Sequence, residues 1–335
     1  MAPNLKQLPT FDELPKYRNF TGCAWDVWGK DDQLGTINLL TEEVVKEAAK
    51  EIKLGKTVCL NWPVNFPSKP HFGRQTPQHK IWAKGPAVND DALHINTQSG
   101  SQWDGLRHFG LLEHGVFYGN TRTEAIPRGE LFLKGPDDID PEAIKYGIHN
   151  WAQHGIVGRG VLLDIVQYYT ASGDPLPYDP WKTYGISVDV LQDCAKKQGV
   201  SFQQGDILLL RVGYLQKWFA ASQEQRDDLG SKPETLAGID QTEDMKRFLW
   251  NNHFAAIASD QPAIERWPAD GPGHFLHETV RLKLIFPIGE FFDLEALSKV
   301  CAETGRYTFF FTSWPLNVLG GVASPPNAAV SNAHV

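Results

Sequence analysis

Cysteine is scarce in this chain, with four in 335 residues. Cys23, Cys59, Cys194 and Cys301 lie far apart without a CxxC pair. That spacing points away from a disulfide framework and a zinc finger, and toward buried thiols. No run of Lys or Arg stands out, and 32 basic against 40 acidic residues leave a formal net charge of -8. The electrostatic footprint of a phosphate-backbone binder is therefore missing, and nucleic acid is not an expected partner. No stretch approaches the roughly 18 apolar residues of a membrane span. The first ten residues, Met1 to Thr10, lack the apolar core of a signal peptide. The expectation is a cytoplasmic chain with no membrane partner. The triplet Asn19-Phe-Thr21 matches a glycosylation acceptor only at the level of chance. A Gly-x-Ser-x-Gly elbow, a P-loop and a dinucleotide fingerprint followed by a helix are also missing. Their absence disfavours a serine hydrolase, a nucleotide hydrolase and a nicotinamide oxidoreductase.

What is present is ordinary globular composition, 41% hydrophobic and 21% charged, in a chain long enough for a substantial core. Eleven Trp, 18 Phe and 9 Tyr accompany 30 Gly and 22 Pro. This is the make-up of a loop-rich protein that encloses a small ligand. Thr41 as N-cap, an acidic first turn and Gly55 bracket a helix, and residues 57–64 then read as a strand. Residues 65–92, with Pro67, Pro70, Pro77 and Pro86, read as one long irregular loop over a pocket. Short apolar runs at 160–166, 206–213 and 254–260 read as buried strands, and 187–199 and 242–250 as capped helices between them. Further along, helices are expected over 274–283 and 293–305, and strands over 284–289 and 307–315. Alternating strands and helices define an α/β class. With no internal repeat or low-complexity linker, one domain over 1–335 is favoured, with 1–40 as an N-terminal, arm-like extension.

The strongest local cluster is Gln98, Gln102, Asp104 and His108. Even spacing puts these side chains on one face wherever the stretch is extended. Asp104 could ligate a divalent metal or orient a base, and His108 could move a proton near neutral pH. The competing reading makes Asp104 the cap of a helix beginning at Gly105, with His108 packed inside it. A second concentration is His274, His277 and Glu278, with Glu290 thirteen positions after His277. His277 and Glu290 could complete a metal site with Asp104, or be a polar helix residue and a strand-end charge. Trp82, Trp103, Phe109, Phe117 and Tyr118 could wall an aromatic pocket, or belong to the core. Arg159, Arg211 and Asp260 sit at strand borders, where structural ion pairs are the usual explanation. His114 and His154 read as surface histidines.

Six segments occur in order: 32–41, 98–108, 154–164, 205–213, 258–265 and 277–290. Together they resemble the cyclase family that includes kynurenine formamidase and isatin hydrolase, over about residues 25–330. The resemblance implies a single swivelling β/β/α domain with a mixed sheet and flanking helices, and a homodimer or homotetramer. Its metal-dependent members carry His-x-Gly-Thr-His-x-Asp-x-Pro-x-His. Set on that pattern, Gln98 and Gln102 stand at two metal-binding His positions, Asp104 at the Asp, Leu106 at the Pro and His108 at the catalytic His. The later ligands map onto His277 and Glu290. A neutral amide oxygen is a poorer zinc ligand than imidazole. A divalent metal (manganese, zinc or magnesium) and no metal are therefore equal alternatives. With metal, the implied reaction is hydrolysis of a cyclic amide, formamide or lactone. Without it, cyclisation, dehydration or isomerisation by His108 and a carboxylate is the second reading. A non-catalytic small-ligand-binding protein is the third.

Overall fold

Continuous apolar runs bounded by polar or Gly residues make strands that are buried on both faces, and three such runs form the centre of the fold. The computed structural model describes residues 8–18, 22–269, 271, 275–278 and 284–332. The triplet at 19–21, and most of the helix expected over 274–283, lie outside the described residues. In chain order the strands are β1 (Lys56–Cys59), β2 (Gln78–Gly85), β3 (Val88–His94), β4 (Gln102–Asp104), β5 (Val116–Phe117), β6 (Thr121–Arg122) and β7 (Ile156–Asp164). They continue with β8 (Tyr184–Ile186), β9 (Ile207–Arg211), β10 (Ala237–Ile239), β11 (Ala256–Ser259), β12 (Ile288–Glu290), β13 (Thr308–Ser313), β14 (Ala323–Ser324) and β15 (Ala328–Asn332).

One mixed sheet joins nine of them in the order β1-β15-β13-β7-β9-β11-β12-β4-β14. Strands β7, β9, β11 and β12 run parallel, and the remaining neighbours pair antiparallel. Residues 325–327 alone link β14, at one edge, to β15, next to the other. Four Cα steps of about 3.8 Å keep Ser324 within about 15 Å of Ala328. The sheet must therefore curl back on itself. Trp103 on β4 spans the curl, its Nε1 donating to Ser313 Oγ on β13 at 2.9 Å. Helices flank the sheet, which is the α/β class expected.

The expected caps are in place. The hydroxyls of Thr41, Ser187 and Thr242 each accept a bond from the backbone N–H three residues on, opening helices Glu42–Ala48, Val188–Lys197 and Glu243–Asn251. Helix Glu295–Thr304 ends at Gly305, whose φ of 65° is a left-handed stop.

Four expectations need correction. The strand over 57–64 ends at Cys59; Leu60 still pairs with Ala328, but Pro63 has no N–H to continue the ladder. The loop over 65–92 contains the hairpin β2–β3, exposed along nearly its whole length, so neither strand carries the apolar alternation that marks a half-buried strand. The strand over 284–289 is shortened and shifted to Ile288–Glu290 behind Pro287. The described part of the arm-like extension is packed rather than free: Phe11 and Leu14 are buried, and Pro9 O accepts from Trp250 Nε1 at 2.7 Å.

Candidate active site

The antiparallel pairing of β12 with β4 sets Glu290 opposite Gln102 and Ile288 opposite Asp104. This register joins residues 188 positions apart, and Gln102 Nε2 donates to Glu290 Oε2 at 2.5 Å. After Asp104 the chain turns, with His108 N–H donating to Gly105 O at 3.0 Å. No helix starts at Gly105, so Asp104 is not a helix cap. A Cβ at Gly105 would fall 2.6 Å from Val322 O, which explains the glycine beside the β14 edge. The turn brings His108 Nε2 to 3.6 Å from Asp104 Oδ2.

The other Asp104 oxygen faces amides. Gln98 Nε2 donates to Oδ1 at 2.7 Å, and Gln102 Nε2 lies 3.3 Å from it. Both glutamines, Asp104 and Glu290 are buried. His277 stands between two glutamates, with Nδ1 2.5 Å from Glu265 Oε1 and Nε2 3.2 Å from Glu290 Oε1. Glu265 is further held by the backbone N–H groups of Leu276 (2.7 Å) and His277 (2.9 Å), and by the Gln241 amide.

These contacts set the charges. Burial pushes His277 toward the neutral form, but the bonds to Glu265 and Glu290 overcome it and raise its pKa to about 10. Burial raises Glu290 to about 6, helped by the Asp104 charge and opposed by His277. Burial also raises Glu265, and the bond to His277 more than reverses it, leaving Glu265 below the usual carboxylate range.

Ligand-type atoms of Asp104, His277 and Glu290 lie within 4.8 Å of one another. Two carboxylates and an imidazole are a donor set that fits a divalent ion such as manganese, zinc or magnesium. Gln98 and Gln102 now present N–H rather than oxygen to this centre. They would join a metal shell only after turning their amides over.

A cavity of about 220 Å³ opens onto the cluster. Its polar side is His108, His277, Glu290 and Arg74, and its apolar wall includes Phe72, Phe109 and Trp267. The structure thus brings together Gln98, Gln102, Asp104, His108, His277 and Glu290, with Phe109 at the wall.

The aromatic wall expected from sequence needs correction for Trp82, Trp103 and Tyr118, and Phe117, on β5, does not line the cavity either. Trp103 is fully buried in the curl of the sheet. Tyr118 is buried against Tyr146, its hydroxyl donating to Asp32 Oδ2 at 2.9 Å. Trp82, 39% exposed, sits on the β2–β3 hairpin and does not line the cavity. Arg159 pairs with Asp206, and Arg211 with Asp164 and Glu295, as structural ion pairs. Asp260 accepts from the N–H groups of Val212 and Gly213.

Arg74, Glu265, Phe72 and Trp267 were not anticipated. Glu265 ends one of the segments behind the family resemblance, which is the only signal that marked it.

The Cyclase family model matches residues 40–266. This chain belongs to the cyclase family. The crystal structure of a novel cyclase is similar over 92% of this chain and 99% of its own, with 30% identity and a TM-score of 0.77. Isatin hydrolase A from Ralstonia solanacearum aligns over 82% of this chain and 91% of its own, at 14% identity and a TM-score of 0.51. An isatin hydrolase bound to the product analogue thioisatinate aligns over 88% and 97%, at 13% identity and a TM-score of 0.53. These two likenesses concern the fold. No curated protein sequence matches the chain. Among the described residues of this cyclase-family member, no helix is long and apolar enough to cross a membrane.

Proposed function

We propose that the chain is a hydrolase that opens a small cyclic amide, formamide or lactone, with His108 as the proton-transfer residue. The observation that carries this reading is the apolar cavity ending on His108, His277 and Glu290, with Asp104 directly behind His108. Two fold neighbours are isatin hydrolases, which agrees with a hydrolytic reaction.

Asp104 Oδ2 lies 3.6 Å from His108 Nε2, and its charge steadies the imidazolium formed when His108 takes a proton from the water that attacks the carbonyl. His108 then gives that proton to the leaving nitrogen or oxygen as its bond to the carbonyl carbon breaks, and the water oxygen stays on that carbon as part of the new carboxyl group. Phe72, Phe109 and Trp267 exclude water from around the substrate ring. A divalent ion, when bound, would be held by Asp104, His277 and Glu290 and would supply carbonyl polarisation.

A second reading has an observation of its own. The amide N–H groups of Gln98 and Gln102 already occupy Asp104 Oδ1 and Glu290 Oε2. Donors in those places offset the carboxylate charges as a cation would, which favours general acid–base chemistry without metal.

A panel of cyclic amides, formamides and lactones, with products followed by mass spectrometry, tests the hydrolase. His108→Ala should lower turnover about 10²–10⁴-fold, and near-normal turnover in that variant overturns the assignment. Metal analysis with activity before and after chelation separates the two readings. Loss of activity on chelation, restored by manganese, zinc or magnesium, supports the first, and chelator-resistant activity of metal-free protein supports the second.

A further inference from the structure

Arg74 is placed unlike the other cavity residues. Its Nη1 donates to Gln98 O at 2.6 Å and lies 3.5 Å from Gln102 Oε1. The guanidinium carbon stands 5.3 Å from the centre of the Phe72 ring. The group is thus held through one nitrogen and one face. Among the described residues, Nε and Nη2 have no hydrogen-bond partner, and no carboxylate lies within ion-pair distance of Arg74. Neither nitrogen is sealed from solvent, and the side chain lines the cavity. Nε and Nη2 form the edge of a guanidinium that grips a carboxylate through two parallel bonds.

The remaining charges of the cavity place an anion at that edge. Glu290 and Asp104 are buried, where they repel a second anion, but both Glu290 oxygens and Asp104 Oδ1 face N–H groups of Gln98, Gln102 and His277, and Asp104 Oδ2 lies 3.6 Å from His108 Nε2. The His277 charge is shared between Glu265 and Glu290. Among the described residues lining the cavity, Arg74 is the cation with donors left over. The cavity also offers aromatic surface from Phe72, which faces the Arg74 guanidinium, from Phe109, whose ring lies beside His108, and from Trp267. A planar ring fits a space of about 220 Å³ walled this way.

We infer that Arg74 is the specificity-determining residue of this site. Its free edge receives a carboxylate or equivalent anionic oxygen on a planar aromatic ligand, whose reacting carbonyl then lies toward His108. The inference rests on the proposed site but not on its chemistry, because it is read by binding of molecules that do not react.

Benzoate and benzamide are matched probes, equal in shape and different in charge. Calorimetric titration of the full chain should show benzoate binding at least ten times more tightly than benzamide. Arg74→Gln should remove that preference while leaving benzamide affinity within about twofold, and Arg74→Lys, a point charge without the fork, should retain part of it. Equal binding of the two probes, or binding of neither, overturns the inference. So does an equal weakening of both in Arg74→Gln, which is the mark of a merely structural arginine. If Arg74→Gln does not fold, Arg74→Lys carries the same test, and an unchanged benzoate preference in it overturns the two-bond edge. Failure of the hydrolase reading shows separately, as preserved probe selectivity without turnover on any substrate.

Discussion

Two buried polar clusters sit at different places on the curled sheet, and their arginines show how they differ. Asp164 and Arg211 end the parallel strands β7 and β9 and face each other in register. Arg211 spends Nε, Nη1 and Nη2 on Glu295 and Asp164, and Ser298 donates to the second Asp164 oxygen. Every strong group there meets another from the chain itself, and helix Glu295–Thr304 closes the end of the strands. At β4 and β12, Arg74 spends one nitrogen, and a cavity opens beside it. Buried charge alone therefore does not mark a functional site. Unspent donors with access to a cavity do. The carboxyl ends of parallel strands are the usual ligand position in open α/β sheets; here the ends of β7 and β9 are plugged, and the candidate site lies further along, at the carboxyl end of β12, where Glu290 meets Gln102 of antiparallel β4.

The largest expected effect breaks the closed cluster. Arg211→Met leaves Asp164 and Glu295 without their counter-ion, and stripping one partner from a buried ion network costs about 3–5 kcal/mol. Urea unfolding measures it, and His108→Ala should shift the same curve by less than about 1 kcal/mol. A loss below 1 kcal/mol in Arg211→Met would show that the closed cluster is not structural in the sense argued. The next effect is on activity. Glu265→Gln keeps the shape but weakens the grip on His277 Nδ1, and loss of such a supporting partner typically costs about 10–100-fold in activity. In metal-free protein, where Glu265 helps hold the His277 proton, the alkaline limb of the pH–rate profile should move to lower pH in this variant. A uniform fall in rate with an unmoved profile would assign Glu265 to packing alone.

How much of this was legible beforehand depended on distance along the chain. Strands β7, β9 and β11 announce themselves as apolar runs, and the helices by Thr41, Ser187 and Thr242, because caps and continuous burial are local properties. The hairpin β2–β3 is exposed on both faces, so Ile81, Trp82 and their neighbours carry no period to read. Asp104 and His108 are four residues apart, and their meeting needs only a turn. Glu290 meets Gln102 through strand pairing across 188 positions, and spacing alone left its role open. The family resemblance supplied that link. It did not supply Arg74, whose only sequence context is a proline-rich stretch, nor could it separate Phe109 from Trp103, since both follow the same pattern and only the curl decides which is core.

The smallest effect sharpens the comparison from a third buried place. His71 is buried like the members of both clusters, but its Nε2 meets a neutral partner, the Tyr214 hydroxyl, at 2.6 Å. The nearest carboxylate, on Glu234, is 3.9 Å from Nδ1. Burial therefore wins, and the pKa falls from 6.5 to about 4, whereas His277 between two bonded glutamates rises to about 10. A histidine whose pKa is lower folded than unfolded contributes stability that is complete above the unfolded value and is lost as pH falls through the folded one. Unfolding should thus take up close to one extra proton between pH 6.5 and 4, a slope of at most about 1.4 kcal/mol per pH unit from this group. Urea midpoints of the wild type and His71→Gln, measured across that interval, should converge as the pH falls, because only the wild type loses this contribution. Parallel curves would mean that His71 is charged in the folded protein, and that burial without a bonded carboxylate is not enough to keep an imidazole neutral here.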